Sequence, residues 1–401
     1  MAHAEPENFR LGVNYWPGRS AMGWLQAYEP RLTRTDFQRA KDAGLDTVRI
    51  FLRWEDAQPT PTLIDRVTIG RLVDAADAAV EVGVSLIVTL FVGHMSGVNW
   101  IPGWAIDGVE GDNRFRVVSA GRVWPARTGL RNWYTDSAVF EAQERLATAA
   151  AEVLAGHPGV WAWDLGNENS NCLLPPDRAA GEAWLERMST ALRRSDPGRL
   201  LTIGLHMEDL VQDRRIGPAE AARWCDFVSM HGYPIYADWS AGPTDYDLLP
   251  FLAEVTRWLA SDATVLFEEF GLPTARDPLP EHSLLVSESA AATYTGHALD
   301  GLREAGCLGA LLWCFSDYGL QLAESPPFDL AHHELSFGLW RADGTPKPAL
   351  TEVTSRAGSS RVPPQSLDGW LDIDRSTFAE DRRFHLARLY RRFRDRAAAD
   401  L

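Results

Sequence analysis

Short, nearly uninterrupted apolar runs alternate with amphipathic segments along most of the chain. The runs at 11–15, 47–52, 85–91, 160–165, 200–205, 227–230, 264–267 and 308–315 are too short for helices and read as strands. Segments of helical period lie between them. Residues 35–43 close on Gly44 and 67–82 close on Gly83. Residues 135–155 carry Val139, Phe140, Leu146, Ala147, Ala150, Val153 and Leu154 before Gly156 and Pro158 stop the helix. Residues 182–194, 247–259 and 289–305 follow the same scheme.

Strands that are apolar on both faces belong in a parallel sheet covered on both sides. Eight of them, most followed by a helix, fit either an open doubly wound sheet or a closed (β/α)8 TIM barrel. An open sheet would normally want a Gly-rich phosphate turn or ligand crevice after an early strand, and no such turn is visible. The expected fold is therefore a barrel over residues 9–355, with its functional residues at the C-terminal ends of the strands. The third strand is followed by a long loop, 92–134, whose Trp100, Trp104, Trp124 and Trp133 argue for an ordered wall over the barrel mouth. Residues 356–401 form a C-terminal tail. It reads as a polar linker over 356–366, then a basic amphipathic helix over 378–397 that packs Phe384, Leu386, Leu389 and Phe393 onto the barrel.

Two strands end in carboxylates. The Trp-rich run 160–165 finishes in Gly166-Asn167-Glu168, and the run 264–267 continues into Glu268-Glu269-Phe270-Gly271. A carboxylate at the tip of a buried strand is costly unless it is used. Two of them fit the pair that cleavage of a glycosidic bond requires, one carboxyl to protonate the leaving oxygen and one carboxylate to attack or stabilise the anomeric carbon. Strand alternation allows only one of Glu268 and Glu269 to face the barrel axis. Other strand tips add fitting groups. Arg49 on the second strand would hold a neighbouring carboxylate ionised. His231 and Tyr233 end the sixth strand, and Trp313 at the eighth could floor a sugar.

Composition narrows the field. A net charge of −16 argues against nucleic acid and anionic membranes as partners. No apolar run approaches the ~18 residues of a membrane span. The first eight residues have neither a basic nor an apolar stretch of signal-peptide type, so a cytoplasmic location is expected. Cys172, Cys225, Cys307 and Cys314 lack CxxC spacing and read as reduced thiols. His332-His333-Glu334 reads as loop rather than metal site, because adjacent residues cannot all face one ion on a regular element. No metal and no cofactor are expected. An excess of tryptophan, 16 residues, suits a carbohydrate site, since sugar rings present flat C–H faces to aromatics.

Arg49, Asn167-Glu168, His231-x-Tyr233, Glu269-Phe270-Gly271 and Trp313 together resemble, in order and placement, the pattern of retaining glycoside hydrolases of clan A, most closely family 5. The run Phe337-Gly338-Leu339-Trp340 and the Asp343-Gly344-Thr345-Pro346 that follows are similar to the segment after the last strand in these enzymes. The resemblance implies that Glu168 is the acid/base and Glu269 the nucleophile, with Glu268 its outward-facing neighbour. It places His94 after the third strand and adds it to Arg49, Asn167, His231, Tyr233 and Trp313 as substrate-binding residues, and Trp100 of the long Trp-rich loop is expected to join them. The variants around both glutamates look more like the mannan-active members than the cellulases. An exo-β-mannosidase acting on short oligosaccharides, such as Manβ1-4GlcNAc, is expected. The loop over 92–134 would close a pocket for a terminal sugar, with Asn99, Asn113, Arg114 and Arg116 reaching its hydroxyls. An endo-β-mannanase, a β-glucanase or a β-glucosidase is the alternative within the family. A non-catalytic sugar-binding barrel, which would typically have lost one carboxylate, is the alternative outside it.

Overall fold

The computed structural model describes residues 8–111, 113–276 and 284–399. Eight parallel strands close into a barrel: β1 (Arg10–Asn14), β2 (Thr47–Arg53), β3 (Ser85–Val92), β4 (Val160–Asn167), β5 (Leu200–His206), β6 (Val228–His231), β7 (Val265–Phe270) and β8 (Gly309–Leu312). Each pairs with its neighbour in sequence, and β1 closes the ring on β8 through Leu11 opposite Ala310 and Val13 opposite Leu312. Both faces of a strand are buried, one filling the barrel and the other packing the helices. That is why the sequence shows continuous apolar runs here rather than alternation.

A helix follows every strand: α1 (Pro30–Asp42), α2 (Arg66–Val82), α3 (Ser137–Val153), α4 (Arg178–Ser195), α5 (Pro218–Trp224), α6 (Leu248–Leu259), α7 (Glu288–Glu304) and α8 (Ala349–Thr354). Their ends follow capping chemistry. Asp65 accepts hydrogen bonds from the backbone N–H groups of Val67 and Thr68 to start α2, and Gly83, at φ 80°, ends it. Asp136 and Asp177 start α3 and α4 in the same way. Helix α1 begins at Pro30, a turn earlier than its apolar period, because proline at the first helical position needs no N–H partner. Helices α5 and α8 are too short to carry a readable period.

Residues 92–134 carry structure of their own. His94–Met95, Val98–Trp100, Arg116–Ser119 and Arg122–Val123 form a four-stranded sheet, and Ile106–Glu110 pairs with Thr128–Leu130. Its tryptophans are the core of this insertion. Trp104 and Trp133 pack edge-on to Trp54 at centroid distances of 5.2 and 5.8 Å.

The tail folds as two helices, α9 (Arg375–Glu380) and α10 (Arg382–Ala399), rather than one. Leu386, Leu389, Tyr390 and Phe393 make the buried stripe of α10, with Tyr390 and Phe393 against Phe251 of α6. Phe384 is 55% exposed, contrary to expectation, because it lies off this i, i+3, i+4, i+7 stripe. No helix among the described residues is long and apolar enough to cross a membrane.

Candidate active site

At the C-terminal mouth of the barrel, Arg49 is fully buried and gathers three carboxylates. Its Nη2 donates to Asp164 Oδ2 (2.7 Å), its Nη1 to Glu269 Oε1 (2.5 Å), and its Nε lies 3.4 Å from Glu268 Oε1. It also donates to Asn167 Oδ1 (3.0 Å) and Asn14 Oδ1 (3.2 Å). Burial opposes the charged guanidinium, but Glu268, Asp164 and Glu269 outweigh it and raise its pKa. The family resemblance puts Arg49 among the sugar contacts. The structure instead places it beneath the cavity, out of its wall, so it acts on Glu269 from below.

Strand β4 delivers Asn167 and Glu168 through an irregular end. The register against β5 slips between Asp164 and Asn167, and Glu168 sits in the left-handed region at φ 48°. Gly166 is required there, since a Cβ would lie 2.4 Å from Asn169 Oδ1. A non-glycine residue at positive φ is strained, and such strain clusters at functional sites.

Strand β7 overturns one expectation. Met230 pairs with Phe267 but His231 pairs with Glu269, so one extra residue bulges out of β7 at Glu268. Simple alternation fails at the bulge, and both glutamates turn inward. Glu268 is not an outward-facing neighbour. It is fully buried, between Arg49 Nε and His231 Nε2, each at 3.4 Å.

His231 ties the carboxylates together. Its Nδ1 is 3.0 Å from Glu168 Oε1 and 3.6 Å from Glu269 Oε2, while its Nε2 faces Glu268. Carboxylate oxygens of Glu168 and Glu269 lie within 4.8 Å of each other. Burial alone would lower the imidazole's pKa, but Glu269, Glu168 and Glu268 reverse this and raise it to about 10. Both ring nitrogens then donate. Glu168, His231 and Glu269 are also the cluster with metal-ligand spacing among the described residues.

The two glutamates differ in their surroundings. Burial raises the Glu168 carboxyl, but the imidazoles of His206 and His231 outweigh it and hold the group below the usual carboxylate range. Burial lifts Glu269 above that range against the pull of His231 and Arg49. Tyr233 donates its hydroxyl to Glu269 Oε2 at 2.9 Å, so the side chain has a donor on each oxygen. His94 is neutral: burial pushes its pKa down to about 4, with Glu168 opposing. Its Nδ1–H donates to Asn99 Oδ1 (2.8 Å), leaving Nε2 to face Glu168 at 3.8 Å. Asn167 donates one amide N–H to the His94 carbonyl (3.0 Å) and keeps the other free.

Above this floor lies a cavity of about 410 Å³, within the usual range of small-ligand sites. Its wall includes His94, Asn167, Glu168, His231, Tyr233, Glu269 and Trp313. Trp100 does not line it. That side chain is 5% exposed inside the insertion, beside the Arg53 guanidinium, where it serves as core. Of the insertion residues expected to reach sugar hydroxyls, Arg114 lines the cavity. Asn99 is buried on His94, Asn113 bonds the Thr128 carbonyl, and Arg116 forms a two-pronged pair with Asp329.

Several wall residues escaped sequence reasoning. His206 ends β5 as His231 ends β6, and the same signal, a polar residue closing an apolar run, would have found it. Asn171 donates to Glu168 Oε2 (2.9 Å) from a turn. Phe115, Tyr236, His333 and Glu334 come from loops without periodic signal. Residues His332–Ser336 form a 3₁₀ turn rather than plain loop, and two of the three residues dismissed there face the cavity.

The chain matches the family model described as Cellulase (glycosyl hydrolase family 5) over residues 6–319. Among curated proteins, none matches it in sequence. Its fold is similar to that of GH5_18 from Streptomyces cattleya in complex with GlcNAc, at 23% identity and TM-score 0.77, covering 94% of this chain and 87% of that one. A Glu→Ala form of GH5_18 from the same organism, in complex with Manβ1-4GlcNAc, aligns at 24% identity and TM-score 0.71, covering 87% and 80%. The exo-β-1,4-mannosidase Op5Man5 from Opitutaceae bacterium strain TAV5 aligns at 28% identity and TM-score 0.70, over 87% of this chain but 59% of that protein.

Proposed function

The chain belongs to glycoside hydrolase family 5, and from that premise we propose that it is a retaining exo-β-mannosidase acting on short oligosaccharides, Manβ1-4GlcNAc among them. The observation that carries the retaining part is the spacing of Glu168 and Glu269, whose oxygens lie within 4.8 Å. Retention needs carboxyl groups about 5–5.5 Å apart, whereas inversion needs room for a water between them. Support for the exo part comes from the rim. The insertion after β3 and the segment after β8 meet beside the cavity, joined by Arg116–Asp329 and by Ser96 Oγ to Glu334 Oε2 (3.0 Å). Support for mannose comes from the GH5_18 complex with Manβ1-4GlcNAc and from the name of the Op5Man5 enzyme.

In this reading Glu269 attacks the anomeric carbon with Oε2, the oxygen beside Tyr233, while Oε1 stays on Arg49. The C–O bond to the leaving group breaks as Glu168 delivers a proton to the departing oxygen. Water then enters, Glu168 removes its proton, and the glycosyl–Glu269 bond is cleaved with net retention. The neighbouring imidazoles favour ionised Glu168, the opposite of what an acid needs. The proton therefore waits on His231 Nδ1, 3.0 Å away. A bound sugar displaces water, strengthens the desolvation that raises Glu168, and moves the proton across.

Glu269→Ala is expected to abolish turnover of every substrate. Glu168→Ala should cost about 10²–10⁴-fold on natural disaccharides. It should spare dinitrophenyl glycosides, which leave without a proton. Equal losses on both substrate types would remove Glu168 from the acid role. The sugar itself is decided by a panel of p-nitrophenyl β-glycosides with mannobiose and Manβ1-4GlcNAc, in which mannosides should be fastest. Faster glucosides would favour the β-glucosidase alternative that the family's cellulase description keeps open.

A further inference from the structure

Glu334 is a buried carboxylate in the cavity wall that the double-displacement chemistry does not use. It is 7% exposed and sits on the turn His332–Ser336, beyond β8. Three groups from three parts of the barrel mouth surround it. Ser96 after β3 donates to Oε2 (3.0 Å) and Tyr236 after β6 donates to Oε1 (3.1 Å), while the Trp313 side chain at β8 lies against it and favours its charged form. Lys347 Nζ fixes the turn from behind, bonded to the Ser336 carbonyl (2.8 Å) and Asp317 Oδ1 (2.6 Å). Burial lifts the Glu334 carboxyl to about 7, against the opposing influence of Ser96, Tyr236 and Trp313. A carboxylate placed at such cost, on a scaffold this rigid, is the arrangement a recognition site needs.

A carboxylate offers about four acceptor positions, and hydrogen bonds from Ser96 and Tyr236 take two, which leaves room for a donor arriving from the cavity. A sugar hydroxyl is that donor. Glu334 shares the cavity wall with Trp313, the residue expected to floor the attacked sugar. The leaving group would lie towards Asn171, His206 and Glu208 on the Glu168 side.

We propose that Glu334 recognises the terminal sugar, accepting a hydrogen bond from a ring hydroxyl remote from the scissile bond and so restricting the site to unsubstituted chain ends. This rests on the exo reading above and names the residue that enforces it.

The test pairs a variant with substrates. Aryl β-glycosides, each lacking one hydroxyl, are compared with their parent, the parent sugar being whichever β-glycoside the wild type cleaves fastest. The wild type should lose at least about tenfold in kcat/KM on one deoxy analogue, as expected for a charge-assisted hydrogen bond. Glu334→Gln should lose activity on the parent and show less than about threefold further loss on that same analogue. If Glu334→Gln keeps the wild-type pattern of deoxy penalties, Glu334 does not touch the sugar and the proposal fails. If no deoxy analogue is penalised in the wild type, it fails without any variant, so misfolding of Glu334→Gln cannot shelter it. A glucoside as fastest parent would overturn the mannosidase reading while the test of Glu334 proceeds. Wild-type release of internal fragments from polymer would overturn the exo reading and the chain-end part of this proposal together.

Discussion

The floor and the rim of the cavity are built differently. The floor is carried by strands: Arg49, Asp164, Glu269 and His231 stand on β2, β4, β7 and β6, fully or almost fully buried, with every charge held by at least one other. The rim is carried by turns and the inserted sheet. It is joined by bonds between distant segments, such as Arg116–Asp329 and Ser96–Glu334, whose groups are partly exposed or borne on loops. A strand fixes a side chain through its own ladder and its helix cover, so it can hold charges at the close spacing that bond cleavage demands. A turn fixes little by itself and must be tied across the mouth. The floor therefore suits chemistry common to a family, and the rim suits the choice of substrate.

The strongest way to break the floor is to remove its hub. In Arg49→Met, Asp164, Glu268 and Glu269 would share the interior without their cation. Removing one partner of a buried ion pair costs about 3–5 kcal/mol. Urea unfolding should register a loss of that order together with loss of turnover. A stable, folded Arg49→Met protein would mean that these carboxylates hold protons in the folded state, and that Arg49 is not what balances them.

A milder test addresses the residue the bulge turns inward. Four groups face His231: Glu168 and Glu269 at Nδ1, Glu268 at Nε2, and Arg49 behind Glu268. Its folded pKa of about 10 lies above the ordinary 6.5, so the charged imidazole stabilises the fold below about pH 6.5. That contribution is lost as pH rises towards 10. Glu268→Gln removes one of the charges that raise it. The alkaline limb of kcat/KM should move to lower pH, and the alkaline loss of stability should begin earlier. An unchanged limb would assign Glu268 a packing role only.

How much of this could be read from the sequence follows the same division. The eight strands were legible because burial on both faces leaves a continuous apolar run, and the strand-tip residues because a polar side chain closing such a run is conspicuous. Glu268 was misplaced because alternation assumes a regular strand, and nothing in Phe267-Glu268-Glu269-Phe270 announces a bulge. Trp100 was placed at the sugar because tryptophan suits both a stacking platform and a core. Only the packing of the insertion separates the two. Glu334 and Tyr236 were out of reach, since their partners lie about 100 residues or more away on other loops. Phe384 could have been corrected from the helical period, which selects Tyr390 instead.

The smallest expected effect comes from the rim. Arg116 and Asp329 are each about a quarter exposed, so solvent screens their pair even though it is two-pronged. Exposed pairs contribute about 0.2–1 kcal/mol. Arg116→Ala should therefore leave global stability within about 1 kcal/mol of the wild type. It should also leave cleavage of small aryl glycosides unchanged, because the floor is untouched. The effect should appear in the products. With the insertion and the segment after β8 no longer joined at this point, longer manno-oligosaccharides should enter. Disaccharide products should then accompany mannose from mannotetraose, where the proposed exo activity predicts mannose alone from the wild type. If Arg116→Ala slows aryl glycosides as much as it alters the products, rim and floor are mechanically coupled and the division between them does not hold. If neither changes, the wall stands without this tie, and the closure of the pocket rests on Ser96, Glu334 and Tyr236.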